Sequence, residues 1–347
     1  MREEIQKIVD PTPTYSVEPG QTIVIDRYRP EDANGVVNLF RLVYGEDYPL
    51  KQYYDPAWLT SANGSHDLIS VVARTPKGDI VSHMAAYRSA AVNPELYEIG
   101  VGLTLSGYHA ASEIMRHIVA MLPSFGLAGI YGEAVCNHLV TQRFSYDVGC
   151  IETAIEIDLM PAETYRLLKN SVGRVSCLFT YLPFRTAPQT LHVPALYLDP
   201  VRFILDPVPG ERRLVAAGST AAGQEKAQVE TRVFDFASVS RCQVVVCGED
   251  IAARLADMER AADAQMCTTR QVFLNLGDPA VGQAAQWLRD QGYSLAGVTP
   301  GWFSGDRDGL LLHKMLHTPD FGAVKLYRER AWQLLARVEA DWRSVNG

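Results

Sequence analysis

The chain has 347 residues, of which 32 are basic and 40 acidic, giving a formal net charge of −8. Hydrophobic residues make up 47% and charged residues 21%, ordinary proportions for a globular protein, so a disordered or fibrous chain is excluded. The acidic balance argues against a nucleic-acid-binding protein that works by bulk charge. At about 150 residues per domain, the length predicts two domains.

Targeting and cysteine patterns favour a cytoplasmic protein. The chain begins Met-Arg-Glu-Glu-Ile-Gln, where charges alternate and no apolar stretch could serve as a signal peptide. No run approaches the roughly 18 apolar residues that a membrane helix needs. The six cysteines include no Cys-x-x-Cys pair and no histidine at zinc spacing. We therefore expect reduced thiols, no bound metal and no membrane contact.

The first half predicts a mixed α/β sheet. Residues 1–20, with three prolines and one glycine, predict a loose arm. Hydrophobic periodicity then gives the order β-α-β-β-β-α-β-α-β. The predicted strands are 21–27, 68–74, 80–87, 98–105, 129–135 and 150–158, and the predicted helices are 36–43, 112–122 and 138–148.

The second half repeats the α/β pattern more loosely. Its predicted strands are 242–247, 272–276, 293–299 and 309–315, with helices at 249–264, 279–291 and 320–345. The stretch 207–225 is rich in turn residues and predicts a surface loop. The predicted division is an arm over 1–20, a first domain over 21–160, a second over 161–319 and a C-terminal helix over 320–347.

Three segments of the first half carry a family resemblance. They are Tyr28–Asp32 (YRPED), Glu98–His109 (EIGVGLTLSGYH) and His138–Glu152 (HLVTQRFSYDVGCIE). Over residues 20–160 the chain resembles the GNAT superfamily of N-acyltransferases, and 277–297 looks like a decayed copy of that family's last helix and strand. The resemblance implies two GNAT-like mixed α/β domains in tandem. Each would be a mostly antiparallel sheet flanked by helices, and the second would be degenerate.

The resemblance also implies the chemistry. Such a protein moves an acyl group from a pantetheine thioester, carried by coenzyme A or by an acyl carrier protein, to the amine of a small molecule. Glu98 lies where the family presents a general base. Ser145 lies at the position of the family's acidic tyrosine and Tyr146 one residue after it, so either is a candidate acid; His138 lies where an asparagine often contacts pantetheine. For Tyr146 and His138, ordinary structural packing is the alternative interpretation.

Donor binding would use a strand edge and a helix start. In this fold the backbone of Leu103, Thr104 and Leu105 would pair with the pantetheine arm like an added strand. The phosphates would bind at the loop and first helical turn, formed by His109, Ala110, Ala111, Ser112 and Glu113.

That loop departs from the family pattern, Arg/Gln-x-x-Gly-x-Gly/Ala. His109, Ser112 and Ile114 occupy its fixed positions, so neither glycine nor a fixed cation remains. A carrier-bound arm has one phosphodiester and needs fewer phosphate contacts from the loop. The loss of the glycines and the cation therefore favours a carrier-protein donor. In the second half, the equivalent loop 247–250 contains two acids that should repel a polyanion.

Other residues and functions stay open. Tyr44, His83 and Trp302 are candidates for an acceptor pocket, with core packing as the alternative for each. Cys136 is better explained as a buried thiol than as a nucleophile, because no Cys-His-acid pattern accompanies it. Besides acyl transfer, the chain is compatible with a non-catalytic binding or scaffold module. An aminoacyl-tRNA-dependent transferase is a third possibility, which the acidic pI near 5.5 disfavours.

Overall fold

The computed structural model describes residues 16–89, 91–162, 173–217 and 225–347, which form a mixed α/β fold around one long sheet. The helices are α1 Ala33–Tyr44, α2 Pro56–Ser65, α3 Ala111–Met121, α4 Val140–Asp147, α5 Leu198–Leu205, α6 Ile251–Ala264, α7 Val281–Asp290 and α8 Glu329–Asn346. The strands of the long sheet are β1 Val24–Arg27, β2 Leu68–Arg74, β3 Ile80–Tyr87, β4 Leu96–Thr104, β5 Gly129–Val135, β6 Ile151–Pro161, β7 Arg174–Pro183, β10 Gln228–Phe234, β11 Val239–Val246, β12 Thr269–Asn275, β13 Ser294–Phe303 and β14 Arg307–Met315. Strands β8 Gln189–Pro194 and β9 Arg212–Ala217 form a separate two-stranded sheet.

The strand order shows two copies of one arrangement. The long sheet runs β1-β2-β3-β4-β5-β7-β6-β13-β14-β12-β11-β10. In the first copy β4 and β5 are parallel and β7 lies between β5 and β6; in the second, β11 and β12 are parallel and β14 lies between β12 and β13. The other neighbours in this sheet are antiparallel. The predicted class, a mostly antiparallel sheet flanked by helices and built twice, is confirmed.

The two copies meet strand to strand. Ala154, the fourth residue of β6, is opposite Gly297, the fourth residue of β13, so equivalent positions of the two copies face each other. Gly297 has φ of +150°, and a Cβ there would lie 2.3 Å from the carbonyl oxygen of Thr153. Only glycine lets the two backbones approach this closely.

One hydrophobic core crosses this junction. Trp302 is fully buried and stacks on Phe273 with 4.2 Å between ring centroids, while the rings of Tyr131 and Phe179 lie 5.2 and 6.0 Å away. Two of these partners belong to first-copy strands β5 and β7, and Phe273 belongs to β12. The copies are therefore packed as one body through shared aromatic side chains.

Helices cover both faces of the first copy. Adjacent residues of β2 show the alternation, because Val71 packs with the α3 side and Val72 packs with the α1 side. On α1, Val36, Leu39 and Phe40 are completely buried against that second face. Among the described residues, no helix is both long enough and apolar enough to cross a membrane.

Several segments differ from the sequence-based expectations. Residues 212–217 form β9 inside the stretch predicted to be a loop, and 218–224 lie outside the described residues. Residues 1–15 of the predicted arm also lie outside them. The terminal helix begins at Glu329, not near residue 320. The division into domains stays a prediction, although β7 favours a first boundary after Pro183.

Helix α2 illustrates a local signal that the periodicity analysis missed. Asp55 caps it, accepting a hydrogen bond from the backbone N–H of Ala57 at 2.9 Å, and Pro56 occupies the first helical position. The helix has only two buried apolar positions, Leu59 and Ala62, too few to reveal a period. Its capping residues, not its hydrophobic pattern, mark where it begins.

We expect Gly297→Ala to destabilise the protein by about 1–3 kcal/mol, because its Cβ would overlap the backbone of β6. The measurement is the free energy of unfolding from urea titrations. Gly64→Ala is the matched control. Gly64 lies in α2 with no atom near its missing Cβ, so this substitution should raise the free energy of unfolding by up to about 1 kcal/mol. Equal effects of the two substitutions would contradict the close approach of β6 and β13.

Candidate functional site

The first copy contains a gap between two parallel strands. β4 and β5 pair at three consecutive positions, Leu96–Gly129, Tyr97–Ile130 and Glu98–Tyr131. Beyond Glu98 the strands diverge, and a cavity of about 1720 Å³ opens between and around them. Residues from α1 and α2 on one face of the sheet and from α3 and α4 on the other line it. The cavity therefore passes through the sheet.

A bulge in β4 shapes this gap. Val101 has φ of +51°, an outlier for a β-branched residue, and the β3–β4 register shifts beside it. Before the bulge, Tyr97 and Ile99 pack on the α3 face; after it, Leu103 packs on the α1 face. Strict alternation would have kept all three on one face. The bulge thus rotates the second part of the strand.

His83 holds the bulge in place. It is fully buried; its Nδ1 donates to the carbonyl of Val101 at 3.0 Å, and its Nε2 lies 3.1 Å from the hydroxyl of Ser70. Burial lowers the pKa of His83 to about 4, so the ring is neutral at pH 7. His83 lies behind the strand and does not line the cavity. Its prediction as an acceptor-pocket residue is therefore corrected to a structural role.

Glu98 lies where the gap begins. Its carboxylate accepts hydrogen bonds from the hydroxyls of Tyr87 at 2.6 Å and Tyr131 at 3.2 Å. Burial, followed by the charge of Glu98, raises the pKa of both tyrosines well above its usual range, so both remain donors. The half-buried carboxylate is thereby oriented at the edge of the cavity.

The free edge of β4 is defined by its pairing with β3. The N–H of Leu105 already donates to the carbonyl of Val81 at 2.8 Å, and Leu105 does not line the cavity. Because antiparallel partners alternate, Leu103 also directs its peptide groups toward β3, whereas Thr104 directs its own toward β5. Leu103 and Thr104 both line the cavity. Of the three predicted residues, Thr104 is the one whose backbone faces the gap.

The start of α3 offers several hydrogen-bond donors. Ala110 is its N-cap and supplies no side-chain cap, which leaves the N–H groups of Ala111, Ser112 and Glu113 without an intrahelical partner. Ala111 lines the cavity, and His109 is exposed just before the helix. Arg116 donates to the Ser112 hydroxyl at 2.9 Å. The sequence analysis missed this cation because Arg116 lies one turn inside the helix.

Helix α4 and the residues just before it present two of the three residues predicted there to the cavity. His138 and Ser145 line it. His138 Nδ1 accepts from the N–H of Val140 at 3.2 Å, and burial together with the charge of Lys325 lowers the pKa of His138, which keeps it neutral. The Ser145 hydroxyl donates to the carbonyl of Thr141 at 3.2 Å.

Tyr146 points elsewhere. Its ring packs under the guanidinium of Arg328 at 3.8 Å and against Tyr327, and it does not line the cavity. One residue along a helix turns a side chain by about 100°, which separates Tyr146 from Ser145. This position corrects the prediction that Tyr146 is the proton donor. Its ring packs against the residues that directly precede α8.

An aromatic group lines the α1–α2 end of the cavity. Tyr44 is part of it, together with Tyr48, Tyr53 and Trp58. Centroid distances are 4.9 Å for Tyr44–Tyr48 and 5.2 Å for Tyr53–Trp58. Trp302 is in the core at the junction of the copies and not in this group, so its predicted acceptor contact is wrong.

The cysteines and metal-ligand types give no further site. All six cysteines are free and buried, and burial raises the pKa of Cys136, which argues against a thiolate nucleophile. Within the four described ranges, no group of three or more His, Cys, Asp or Glu residues has a metal-binding arrangement.

The second copy contributes side chains to the same cavity. Arg232, Phe234 and Arg241 line it. Arg241 forms an ion pair with Glu133 of β5, 2.6 Å between Nη2 and Oε1, and both side chains are largely buried. No local pattern pointed to these residues, because they come from strands about a hundred positions away from β5 in the sequence.

Because His83 is buried in its neutral form, the free energy of unfolding of the protein should depend on pH. Between its ordinary pKa of 6.5 and its folded value of about 4, the unfolded chain binds a proton that the folded chain does not. Stability is then lost as pH falls through that range, by up to about 3 kcal/mol. Urea unfolding of wild type and His83→Gln at pH 7 and pH 4.5 measures this. The wild type should lose more stability than the variant; equal losses would contradict the assignment.

Comparisons with known proteins return solved acetyltransferase structures. A ribosomal-protein-S5-alanine acetyltransferase from Vibrio fischeri is 10% identical, with a TM-score of 0.38 over 49% of this chain and 95% of its own. A putative acetyltransferase of the GNAT family from Desulfovibrio desulfuricans is 12% identical, with a TM-score of 0.36 over 47% and 99%. Mutant forms of a spermidine/spermine N-acetyltransferase from Vibrio cholerae are 12% identical, with a TM-score of 0.34 over 47% and 95%.

No protein-family model matches the chain, and no curated protein matches it. The solved structures above cover about half of this chain, the length of one of its two copies.

Proposed function

We propose that this chain is a GNAT-type N-acyltransferase that moves an acyl group from a pantetheine thioester to an amine. The observation that carries the proposal is the gap between β4 and β5 with Glu98 at its start. The gap offers unpaired strand backbone for a linear amide-containing arm, and the carboxylate lies where that arm would end. A passage through the sheet lets donor and acceptor enter from opposite faces.

The chemistry follows from these positions. The pantetheine arm pairs with the Thr104 backbone as an added strand, which brings the thioester toward Glu98. Glu98 takes a proton from the incoming ammonium, directly or through one water, and the neutral amine attacks the carbonyl carbon. Tyr87 and Tyr131 keep the carboxylate oriented during this step. The aromatic group around Tyr44 would enclose the acceptor and exclude water.

The donor's phosphate would bind at the start of α3. The uncapped N–H groups of Ala111, Ser112 and Glu113 are free to donate to a phosphate oxygen, and the helix dipole favours negative charge there. The loop itself has no fixed cation, which favoured a carrier-bound donor. Arg116, one turn into α3, supplies a cation beside Ser112. We retain both donors, acyl-CoA and a carrier-bound acyl group, as candidates for this site.

A non-catalytic binding module is the second candidate. Tyr146 faces away from the cavity, so the family's usual proton donor is missing from the position that the resemblance implied. Such a module would bind the thioester in the same gap and leave it intact. Turnover, and not binding, therefore separates the two functions.

Removal of the Glu98 carboxylate should slow the reaction. We expect Glu98→Gln to lower kcat by about 10²-fold or more, as for the loss of a general base, with donor affinity retained. The measurement is the pH dependence of acyl transfer from acetyl-CoA to a panel of primary amines. Glu31→Gln, an exposed residue of the same charge, is the control. Wild-type rates for Glu98→Gln at every pH would exclude Glu98 from the mechanism.

Donor choice is tested by calorimetry with acetyl-CoA, longer acyl-CoAs and an acyl-loaded carrier protein. If the α3 start holds the pyrophosphate, free acyl-CoA binds and Arg116→Ala weakens it, because one cation is lost. Binding of the carrier alone would identify an acyl group delivered on a protein. Binding of neither donor would contradict the proposed function.

A further inference from the structure

The second copy places an arginine where the first copy has Glu98. Glu98 is the third residue of β4, and Arg241 is the third residue of β11. Their parallel partners also correspond: Tyr131 is the third residue of β5, and Gln271 is the third residue of β12. The second copy has therefore lost the carboxylate at its own base position.

Arg241 reaches across the junction into the first copy. Its Nη2 donates to Glu133 Oε1 at 2.6 Å and to Glu156 Oε1 at 3.2 Å, and its Nε donates to Gln271 Oε1 at 2.6 Å. Gln271 in turn donates to Glu156 Oε1 at 2.7 Å. One guanidinium thus holds two carboxyl groups from β5 and β6 together.

The charges in this cluster do not balance if both carboxyl groups ionise. Arg241 supplies one positive charge for two carboxylates that contact the same nitrogen. Glu98 on β4 adds a further like charge, while Tyr131 on β5 and Cys177 on β7 face the pair as neutral groups. Burial raises the pKa of both Glu133 and Glu156 despite Arg241; repulsion by Glu156 and Glu98 adds to this for Glu133, and repulsion by Glu98 adds to it for Glu156. Two buried carboxyl groups on one guanidinium favour a proton shared by the pair.

The two carboxyl groups differ in access. Glu133 lies on β5 where it diverges from β4, and its side chain lines the cavity. Glu156 is 1% exposed and is not part of the lining. A proton on Glu133 therefore lies beside the gap in which the thioester would bind, on the strand opposite Glu98.

We propose that Glu133, held by Arg241 of the second copy, is the proton donor to the departing thiolate, in place of Tyr146, whose ring does not line the cavity. This inference rests on the proposed function. The amine nitrogen forms the new bond to the acyl carbon as the carbon–sulfur bond breaks. Glu98 first passes the proton that it took from the ammonium to solvent; sulfur then leaves with the electron pair and takes the proton of Glu133, while Glu98 takes the second proton from the amine nitrogen. Exchange with solvent then returns one proton to Glu133 and removes one from Glu98.

The experiment compares donors with different leaving groups in wild type and Glu133→Gln. S-acetylpantetheine releases an alkyl thiolate that needs a proton, whereas S-(4-nitrophenyl) thioacetate releases a weakly basic aryl thiolate that does not. We expect Glu133→Gln to lower kcat/KM for acetylpantetheine by about 10²-fold. For the aryl thioester, kcat/KM of Glu133→Gln should equal that of the control variant. The control is Glu230→Gln, an exposed glutamate of β10. Glu98→Gln should slow both donors.

An infrared measurement tests the proton without turnover. Wild type and Glu230→Gln at neutral pH should show the carbonyl stretch of a protonated carboxyl group, and Glu133→Gln should lose it. If this carbonyl stretch persists in Glu133→Gln, the proton lies elsewhere and the inference is overturned. The same holds if the stretch is lost in Glu156→Gln but not in Glu133→Gln.

The kinetic outcomes separate the two proposals. An active wild type with Glu133→Gln equally fast, or equally slow on both donors, overturns the proton-donor role and leaves the proposed function standing. A folded wild type that transfers from neither donor to any amine overturns the proposed function, and the donor role with it.

Discussion

The separation of β4 from β5 is the constraint on which the candidate site depends. Two parallel strands that paired along their whole length would leave neither a passage through the sheet nor free backbone. Pairing stops after Glu98, and the left-handed Val101 turns the rest of β4 onto the other face. A strained β-branched residue persists only where its surroundings over-determine it, and the buried His83 provides that support. A histidine that never meets substrate therefore sets the shape of the site.

The relation between the copies gives the second half a definite part in that site. Arg241 occupies its position equivalent to Glu98 and forms an ion pair with Glu133 of the first copy. Removing one partner of a buried ion pair destabilises a protein more than replacing the whole pair by apolar residues, because the remaining charge stays buried without a partner. The cluster of Arg241, Glu133 and Glu156 thus makes each copy depend on the other electrostatically, in addition to the aromatic packing around Trp302.

Sequence reasoning predicted the elements with strong patterns and missed contacts between distant positions. Strands 68–74, 80–87 and 129–135 match residue for residue, because alternating or fully apolar runs bounded by turns are strong local signals. Glu98 was identified by the motif around it. For His83 and Trp302 the sequence left pocket and core open, because aromatic residues in the two places look alike in sequence; the structure buries both. Arg241 carries no local signal, since its importance comes entirely from strand order.

The junction between β6 and β13 also determines how the sheet is terminated. An unpaired strand edge is a template for another chain, and each copy alone would present one at its last strand. Joined through Ala154 and Gly297, the two edges cover each other. The remaining ends are β1, only four residues long, and β10, which carries the charged and exposed Glu230 and Arg232. The twelve-stranded sheet of the described residues therefore has two open edges that are poor partners for aggregation.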